Sequence, residues 1–291
     1  MVIVYVAAGL ANRMFHYAFA LSLAKKGWEV GYDENTFVPH FDFETTKLSD
    51  VFENVNLPSV SMKNYSIALQ RGIGYKILRR LSLLLPDHRY IERWKLNYDS
   101  RVYDKCSKNS IFLGHWNNYK YFSECESEVR KTFQFRPFED DKNISVVEKM
   151  DSENSVAVHF RKNIDYICDP ENDRRCSPIY YQKAISYIME HVDNPKFYFF
   201  SDNWDWVQKN IKIDVPYTKV DWNPICGSDS FRDMQLMSCC KHNIIANSTY
   251  SWWGAWLNAN PDKIVIAPQS WFQIVKGDTD KYMCPDNWLK F

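Results

Sequence analysis

The run Val156-Ala-Val-His159-Phe-Arg161 places a histidine and an arginine two positions apart, so extended backbone projects both onto one face. Lys162 follows, then Asn163-Ile164-Asp165-Tyr166. A guanidinium at the end of a strand inside a sheet needs an anionic partner, because burying an unpaired charge is costly. That partner is either a carboxylate of the fold or a ligand anion. Three more segments carry related chemistry. Lys196-Phe-Tyr-Phe-Phe-Ser201-Asp202 is an apolar strand ending on a hydroxyl and a carboxylate. Asp233 leads the run Asp233-Met-Gln-Leu-Met-Ser238-Cys-Cys-Lys241-His242. Asn243–Ala246 ends on Asn247-Ser248-Thr249-Tyr250-Ser251, a hydroxyl-rich turn before an apolar helical run from Trp252 to about Asn260. Strand, polar turn and helix start bind phosphate where unpaired amides and the helix dipole face one point. The plainer alternative is an ordinary N-cap at Ser251, with Asn247-Ser248-Thr249 a chance glycosylation triplet.

The elements that must position these residues alternate regularly beyond about Asn154. Strands are expected at Ser155–Arg161, Lys196–Ser201, Asn243–Ala246 and Lys263–Ala267, with helices at Pro178–His191, Trp204–Asn210, Asp229–His242 and Trp252–Asn260. Such alternation predicts a doubly wound, mostly parallel sheet with ligands at the carboxyl ends of its strands. The first half opens β-α-β: a strand at Val2–Val6, a small-residue turn, an apolar helix from about Arg13 to Lys26, then a strand at Trp28–Tyr32. Ser110–Gly114 reads as a further strand. The polar stretch Arg136–Asn154 lacks clear periodicity and reads as an interdomain passage, giving domains of residues 1–140 and 141–291.

Lys+Arg and Asp+Glu both number 36, so no basic surplus points to nucleic acid. Any anionic ligand must be held by local charge. No apolar stretch is long enough to span a bilayer, and Val2–Val6 reads as a first strand rather than a leader. The expected location is therefore cytoplasmic. Residues 67–85 mix Arg71, Lys76, Arg79 and Arg80 with leucines and isoleucines. A surface helix packed on its own domain is the preferred reading, and peripheral contact with an anionic membrane face is the alternative. The eight cysteines form no zinc spacing and read as reduced thiols, although Cys168 and Cys176 flank a loop and could meet. Ala8-Gly9-Leu10-Ala11-Asn12 lacks the full dinucleotide fingerprint. Asp278-Thr279-Asp280 sits in a polar stretch rather than after a buried strand, so no metal and no cofactor are inferred.

Taken together, the motifs resemble those of the α-1,2-fucosyltransferases of glycosyltransferase family eleven. The matching pieces are Gly9-Leu-Ala-Asn-Arg-Met-Phe-His-Tyr-Ala-Phe19, Gly114-His-Trp-Asn117, His159-Phe-Arg161, Phe200-Ser-Asp202 and Asp233 through Leu257, in the family's order. Two departures stand out. His159-Phe-Arg161-Lys162-Asn163-Ile164-Asp165-Tyr166 replaces the second arginine of the family motif with lysine and is one residue longer. In the opening motif Ala8 and Ala11 replace glycines and Arg13 replaces a glutamine.

The resemblance implies an α/β, GT-B-like architecture: two Rossmann-like domains with mostly parallel sheets facing across a cleft. It further implies an N-terminal acceptor side and a C-terminal domain that binds the donor GDP-β-L-fucose. The implied reaction is inverting, metal-independent transfer of fucose to the 2-hydroxyl of a terminal galactose, in a free, lipid-linked or other glycan. Arg161 would stabilise the leaving diphosphate, aided by Ser248, Thr249, Asn247, Ser251 and the nearby amides. His159, Lys162, Ser201 and Asp233 would complete the donor site, with Asp233 on guanine. Asp165 is the expected proton acceptor and Asp202 the reserve. Asn12, Arg13, His16, Trp116 and Tyr119 are expected against the acceptor. The alternatives are fucosylation of another hydroxyl or of protein Ser/Thr, and a non-catalytic glycan-binding protein using the many Trp and Tyr residues.

Overall fold

A computed structural model describes residues 1–36, 46–62, 70, 72–162, 176–212, 215–271 and 283–291. The chain divides into two compact units, Met1–Phe135 with Gly277–Cys284, and Arg136–Lys276 with Pro285–Phe291. Each is built on a sheet whose strands all run parallel. Two α/β units of this kind are what the resemblance implies.

In the first unit, β1 (Val2–Tyr5), β2 (Val30–Asp33), β3 (Tyr90–Arg93) and β4 (Ile111–Gly114) line up in the order β2-β1-β4-β3. Helix α1 (Leu10–Lys25) starts three residues earlier than expected and is buried on nearly every side, as its apolar composition requires. Short helices α2 (Leu48–Val51), α4 (Arg101–Asp104) and α5 (Glu126–Thr132) surround the sheet. Helix α3 (Ile73–Ser82) packs on its own unit against β3, but through polar groups rather than an apolar face. Its buried residues are Arg79 and Ser82, while Ile73, Ile77, Leu78 and Leu81 are exposed.

The second unit contains β5 (Ser155–Phe160), β6 (Lys196–Ser201), β7 (Tyr217–Val220), β8 (His242–Ile244), β9 (Val265–Ala267) and β10 (Leu289–Lys290), in the order β10-β9-β8-β5-β6-β7. Alternation along β5 sends Val156, Val158 and Phe160 to a core shared with α7 (Pro178–His191) and α8 (Trp204–Asn210). Ala157 goes to the opposite core, with α6 (Asp141–Ser152) and α9 (Arg232–Cys239). Both faces of the sheet are covered, so its central strands read as continuous apolar runs. The polar passage at 136–154 thus contains a helix. Asp140 accepts a hydrogen bond from the Asn143 amide at 2.8 Å to cap it, and Val146 and Met150, one turn apart, pack it on the sheet.

Helix α10 (Thr249–Leu257) begins three residues before the expected Trp252, and Ser248 rather than Ser251 is its N-cap residue. Trp252, Trp253 and Trp256 are all buried; Trp252 stacks on Trp256 at 6.0 Å and lies 5.4 Å from Trp288. Gly254 lets α10 lie against α9, since a Cβ there would come within 2.8 Å of Met237 Cβ. The described cysteines form no disulfide.

Candidate active site

The strand order of the second unit reverses at β5. The chain proceeds outward through β6 and β7, then returns to place β8 on the other side of β5. At such a switch point the connections leaving two neighbouring strands diverge, opening a crevice at their carboxyl ends. The segments that meet there are the end of β5, with His159, Arg161 and Lys162, and the turn Asn247–Thr249 that joins β8 to α10. The end of β6, with Ser201 and Asp202, lies on the far side of β5.

The Arg161 side chain is 42 % exposed, and its Nη1 lies 3.0 Å from Asp202 Oδ2. The other Asp202 oxygen accepts the Lys162 amide at 2.7 Å. Asp202 therefore clamps the chain leaving β5 through a guanidinium and a backbone amide together. With both oxygens engaged, it suits a positioning role for Arg161 better than proton abstraction. Ser201 is buried, and its hydroxyl accepts the Asn203 amide at 3.0 Å.

His159 is only 5 % exposed, and its Nδ1 is buried without a hydrogen-bond partner. Burial first, and then the Arg161 charge, pull its pKa down to about 3, so the ring is neutral. Its ring lies 5.8 Å from that of Tyr250. Lys162, one position beyond Arg161, faces the opposite way. Its Nζ donates to the Cys176 carbonyl at 2.6 Å and sits 3.8 Å over the Trp206 ring. The structure thus ties the Lys162 ammonium into the packing of its own unit.

The start of α10 supplies the other wall. Asn247, Ser248 and Thr249 are half-buried, and the Ser248 side chain makes no capping hydrogen bond to the first-turn amides. Ser251 is fully buried, and its hydroxyl turns back to the Ser248 carbonyl at 3.4 Å, so it faces the interior of the unit. Tyr250, which sequence reasoning did not single out, links two stations. Its hydroxyl donates to the Ser230 carbonyl at 2.5 Å and accepts the Met234 amide at 2.9 Å, fixing the start of α9 where Asp233 resides. Asp233 accepts one hydrogen bond from Asn223 Nδ2 at 2.8 Å, and Asn223 is held in turn by Asn143. Burial pushes the Asp233 carboxyl up to about 7. Asp165 and Asp278–Asp280 lie outside the described residues.

The first unit has its own switch point, between β1 and β4. The turn Ala7-Ala8-Gly9 leaves β1 with Ala8 at φ 69°, and Arg13 Nε donates to the Ala8 carbonyl at 2.7 Å. Arg13 is buried, with Glu34 3.8 Å away, and so braces the turn from inside. Asn12 accepts from Asn117 Nδ2 at 2.6 Å, joining the first turn of α1 to the segment that leaves β4. His16 accepts the Ala7 amide on Nδ1 at 3.3 Å, which leaves the proton of the neutral ring on Nε2. Burial above all brings its pKa down to about 3, and a hydrogen bond with the buried Asn117 side chain works in the other direction.

The aromatic expectations fare differently. Trp116 is fully buried, stacked on Phe19 at 4.1 Å and edge-on to Phe112 and Tyr121. It is core rather than an open sugar platform, because Phe19 of the buried α1 covers its face. Tyr119 is half-buried, with its hydroxyl bonded to Glu126 and its ring against Phe122.

Residues 85–288 match the glycosyl transferase family 11 model. The chain is 30% identical over 307 residues to an alpha-1,2-colitosyltransferase of Escherichia coli, covering 99% of this chain and 98% of that protein. It is 28% identical to the O-antigen biosynthesis glycosyltransferase WbnK of Escherichia coli, over 97% of each. Among solved structures, the fucosyltransferase NodZ from Bradyrhizobium is similar with a TM-score of 0.48 at 13% identity, covering 87% of this chain and 91% of that one. A model matching well over half of the chain, with a full-length relative at 30% identity, makes the assignment: the chain is a glycosyltransferase and belongs to glycosyl transferase family 11.

Proposed function

We infer that the enzyme transfers an L-fucose-type sugar from GDP-β-L-fucose to the 2-hydroxyl of a terminal galactose in a glycan, inverting the anomeric centre. The observation that carries this reading is the convergence of Arg161, the first turn of α10 and the unpartnered His159 Nδ1 at the β5/β8 switch point. A guanidinium and uncapped helix amides suit a diphosphate. The Asp233 carboxyl, which accepts one hydrogen bond from Asn223, has acceptor capacity to offer the N–H edge of guanine.

Departure of GDP builds negative charge on its β-phosphate, and Arg161, held in place by Asp202, would meet that charge as it forms. The Ser248 and Thr249 hydroxyls and the α10 amides would bind the diphosphate in both ground and transition state. The galactose hydroxyl must lose a proton as it attacks. Asp165 is proposed for that step from its place after β5, since Asp202 is engaged on both oxygens. On the acceptor side, Asn12, His16 and Asn117 lie together at the first unit's switch point and are proposed to meet the sugar.

A second donor is favoured by one observation. The relative at 30% identity is named for α-1,2 transfer of colitose, which is L-fucose without its 3-hydroxyl. A pocket built to hydrogen-bond that hydroxyl rejects the deoxy sugar strongly, whereas an apolar one discriminates little. Incubation with GDP-fucose and, separately, GDP-colitose, each with a panel of β-galactosides, decides both questions when products are mapped by NMR. An α-1,2-linked fucosyl galactoside supports the reading. Transfer to another hydroxyl, or failure to bind GDP by calorimetry, overturns it.

A further inference from the structure

Helix α3 is built inside out. Arg79, on its buried side, pairs with Glu92 at 2.7 Å and donates to the Gln70 carbonyl at 3.0 Å. Ser82 donates to the Arg79 carbonyl at 2.6 Å and accepts the Tyr90 amide at 3.0 Å. Polar groups therefore fasten this helix to β3, where a surface helix ordinarily uses its apolar stripe. The outer side carries Ile73, Ile77, Leu78, Leu81, Leu84 and Leu85, each between 48% and 82% exposed. Leu84 and Leu85 extend the helical curl, with amides bonded to the Leu81 and Ser82 carbonyls. At about 100° per residue these six occupy one arc of roughly 140°. Lys76 and Arg80, both exposed, lie along one border of that arc.

A continuous apolar strip of this kind is rare on a monomer's surface and marks a contact site. Charge identifies its occupant. Over Ile73–Leu85 the exposed charges are Lys76 and Arg80, both basic; Arg79 is already paired with Glu92, and the segment holds no carboxylate. A second copy docked strip to strip would bring Lys76 and Arg80 toward their own equivalents with no carboxylate on the helix to offset them. A bilayer rich in anionic lipid offers apolar depth under a negative surface, which matches both features. We propose that α3 and the following Leu83–Leu85 turn form an interfacial docking strip for an anionic membrane, placing the enzyme on the bilayer surface without crossing it.

The test is co-sedimentation of the intact protein with vesicles of phosphatidylglycerol and phosphatidylethanolamine, against vesicles of phosphatidylcholine alone. Binding is expected to be at least tenfold stronger to the anionic vesicles and to fall steeply with salt. Lys76→Glu/Arg80→Glu is expected to lower it roughly tenfold or more, and Leu81→Ser/Leu84→Ser to do the same while preserving melting temperature and turnover on a soluble acceptor. Equal binding to both vesicle types, no binding to either, or a dimer in light scattering that Leu81→Ser/Leu84→Ser converts to monomer overturns the proposal.

Discussion

Arg161 and Asp202 meet at 3.0 Å across the carboxyl ends of neighbouring strands β5 and β6, the arginine 42% exposed and the aspartate side chain 8%. Asp202 also accepts the Lys162 amide, so the guanidinium is held from below by a carboxylate fixed at both oxygens. Much of the arginine side chain still reaches solvent.

Arg161→Ala is expected to lower turnover about a hundredfold or more, on the scale of removing one preorganised electrostatic donor. Asp202→Asn, which loosens the arginine without removing it, is expected to fall between that variant and wild type. Single-turnover assays with unchanged circular dichroism check both. Near-normal chemistry in Arg161→Ala would refute its role.

Asp233 gives the proposed nucleotide site a pH signature. Its folded pKa is raised from 3.8 to about 7, so the folded protein holds a proton there that the unfolded chain has lost. Stability from this group is full below about 4 and disappears as pH rises through 7. Guanine N–H donors favour the ionised carboxyl, so GDP affinity should rise about tenfold per pH unit below 7 and level off above it. Asp233→Asn should flatten that profile, weaken GDP about tenfold or more, and raise the melting temperature at pH 8 relative to wild type. Calorimetry in buffers of differing ionisation enthalpy measures the proton released.

His159 and His16 act in the opposite direction. Both are neutral in the fold, with pKa lowered from 6.5 to about 3, so each takes up a proton on unfolding between those values. Their contribution is intact above 6.5 and is lost as pH falls toward 3. Denaturant titrations should show stability dropping through that window. His159→Gln or His16→Gln should each reduce the slope by up to one proton, about 1.4 kcal/mol per pH unit.

Gly254 and Trp116 test packing rather than chemistry. Gly254→Ala pushes a methyl toward Met237 where only 2.8 Å is available, and should destabilise the second unit by about 1–3 kcal/mol. Trp116→Ala removes an indole stacked on Phe19 and should cost about 3–5 kcal/mol. If Trp116→Ala instead raises acceptor KM with stability unchanged, its assignment to the core is wrong. Chemical denaturation with parallel kinetics separates the outcomes.

How much of this could be read beforehand depended on whether the signal was local. Helices α7 and α8 and strand β6 were legible residue for residue, because Ser177-Pro178 and Asn203 mark helix starts and Phe197–Phe200 is a dense buried run. Strand β7 escaped notice because three of its four residues are exposed, so neither alternation nor an apolar run appears. Helix α6 was hidden by its charges, with only Val146, Met150 and Asn143 buried. Within the site, the pairing of Arg161 with Asp202 is tertiary and no spacing announces it. Alternation along β5, however, already implied that Lys162 points away from Arg161, toward the face covered by α8. Trp116 was misjudged because an indole beside a motif looks the same on paper whether covered or open.

All strands of the second unit run the same way, and this divides the molecule's tolerance to alteration. The residues entering the strands, Asn154 before β5, Asn194 before β6 and Lys241 before β8, gather along the rim remote from the crevice, where Asn154 is bonded to the Asp193 carbonyl and the Lys196 amide. A fluorophore, linker or surface tether grafted there should leave catalysis untouched, which makes that rim the natural handle for immobilising the enzyme.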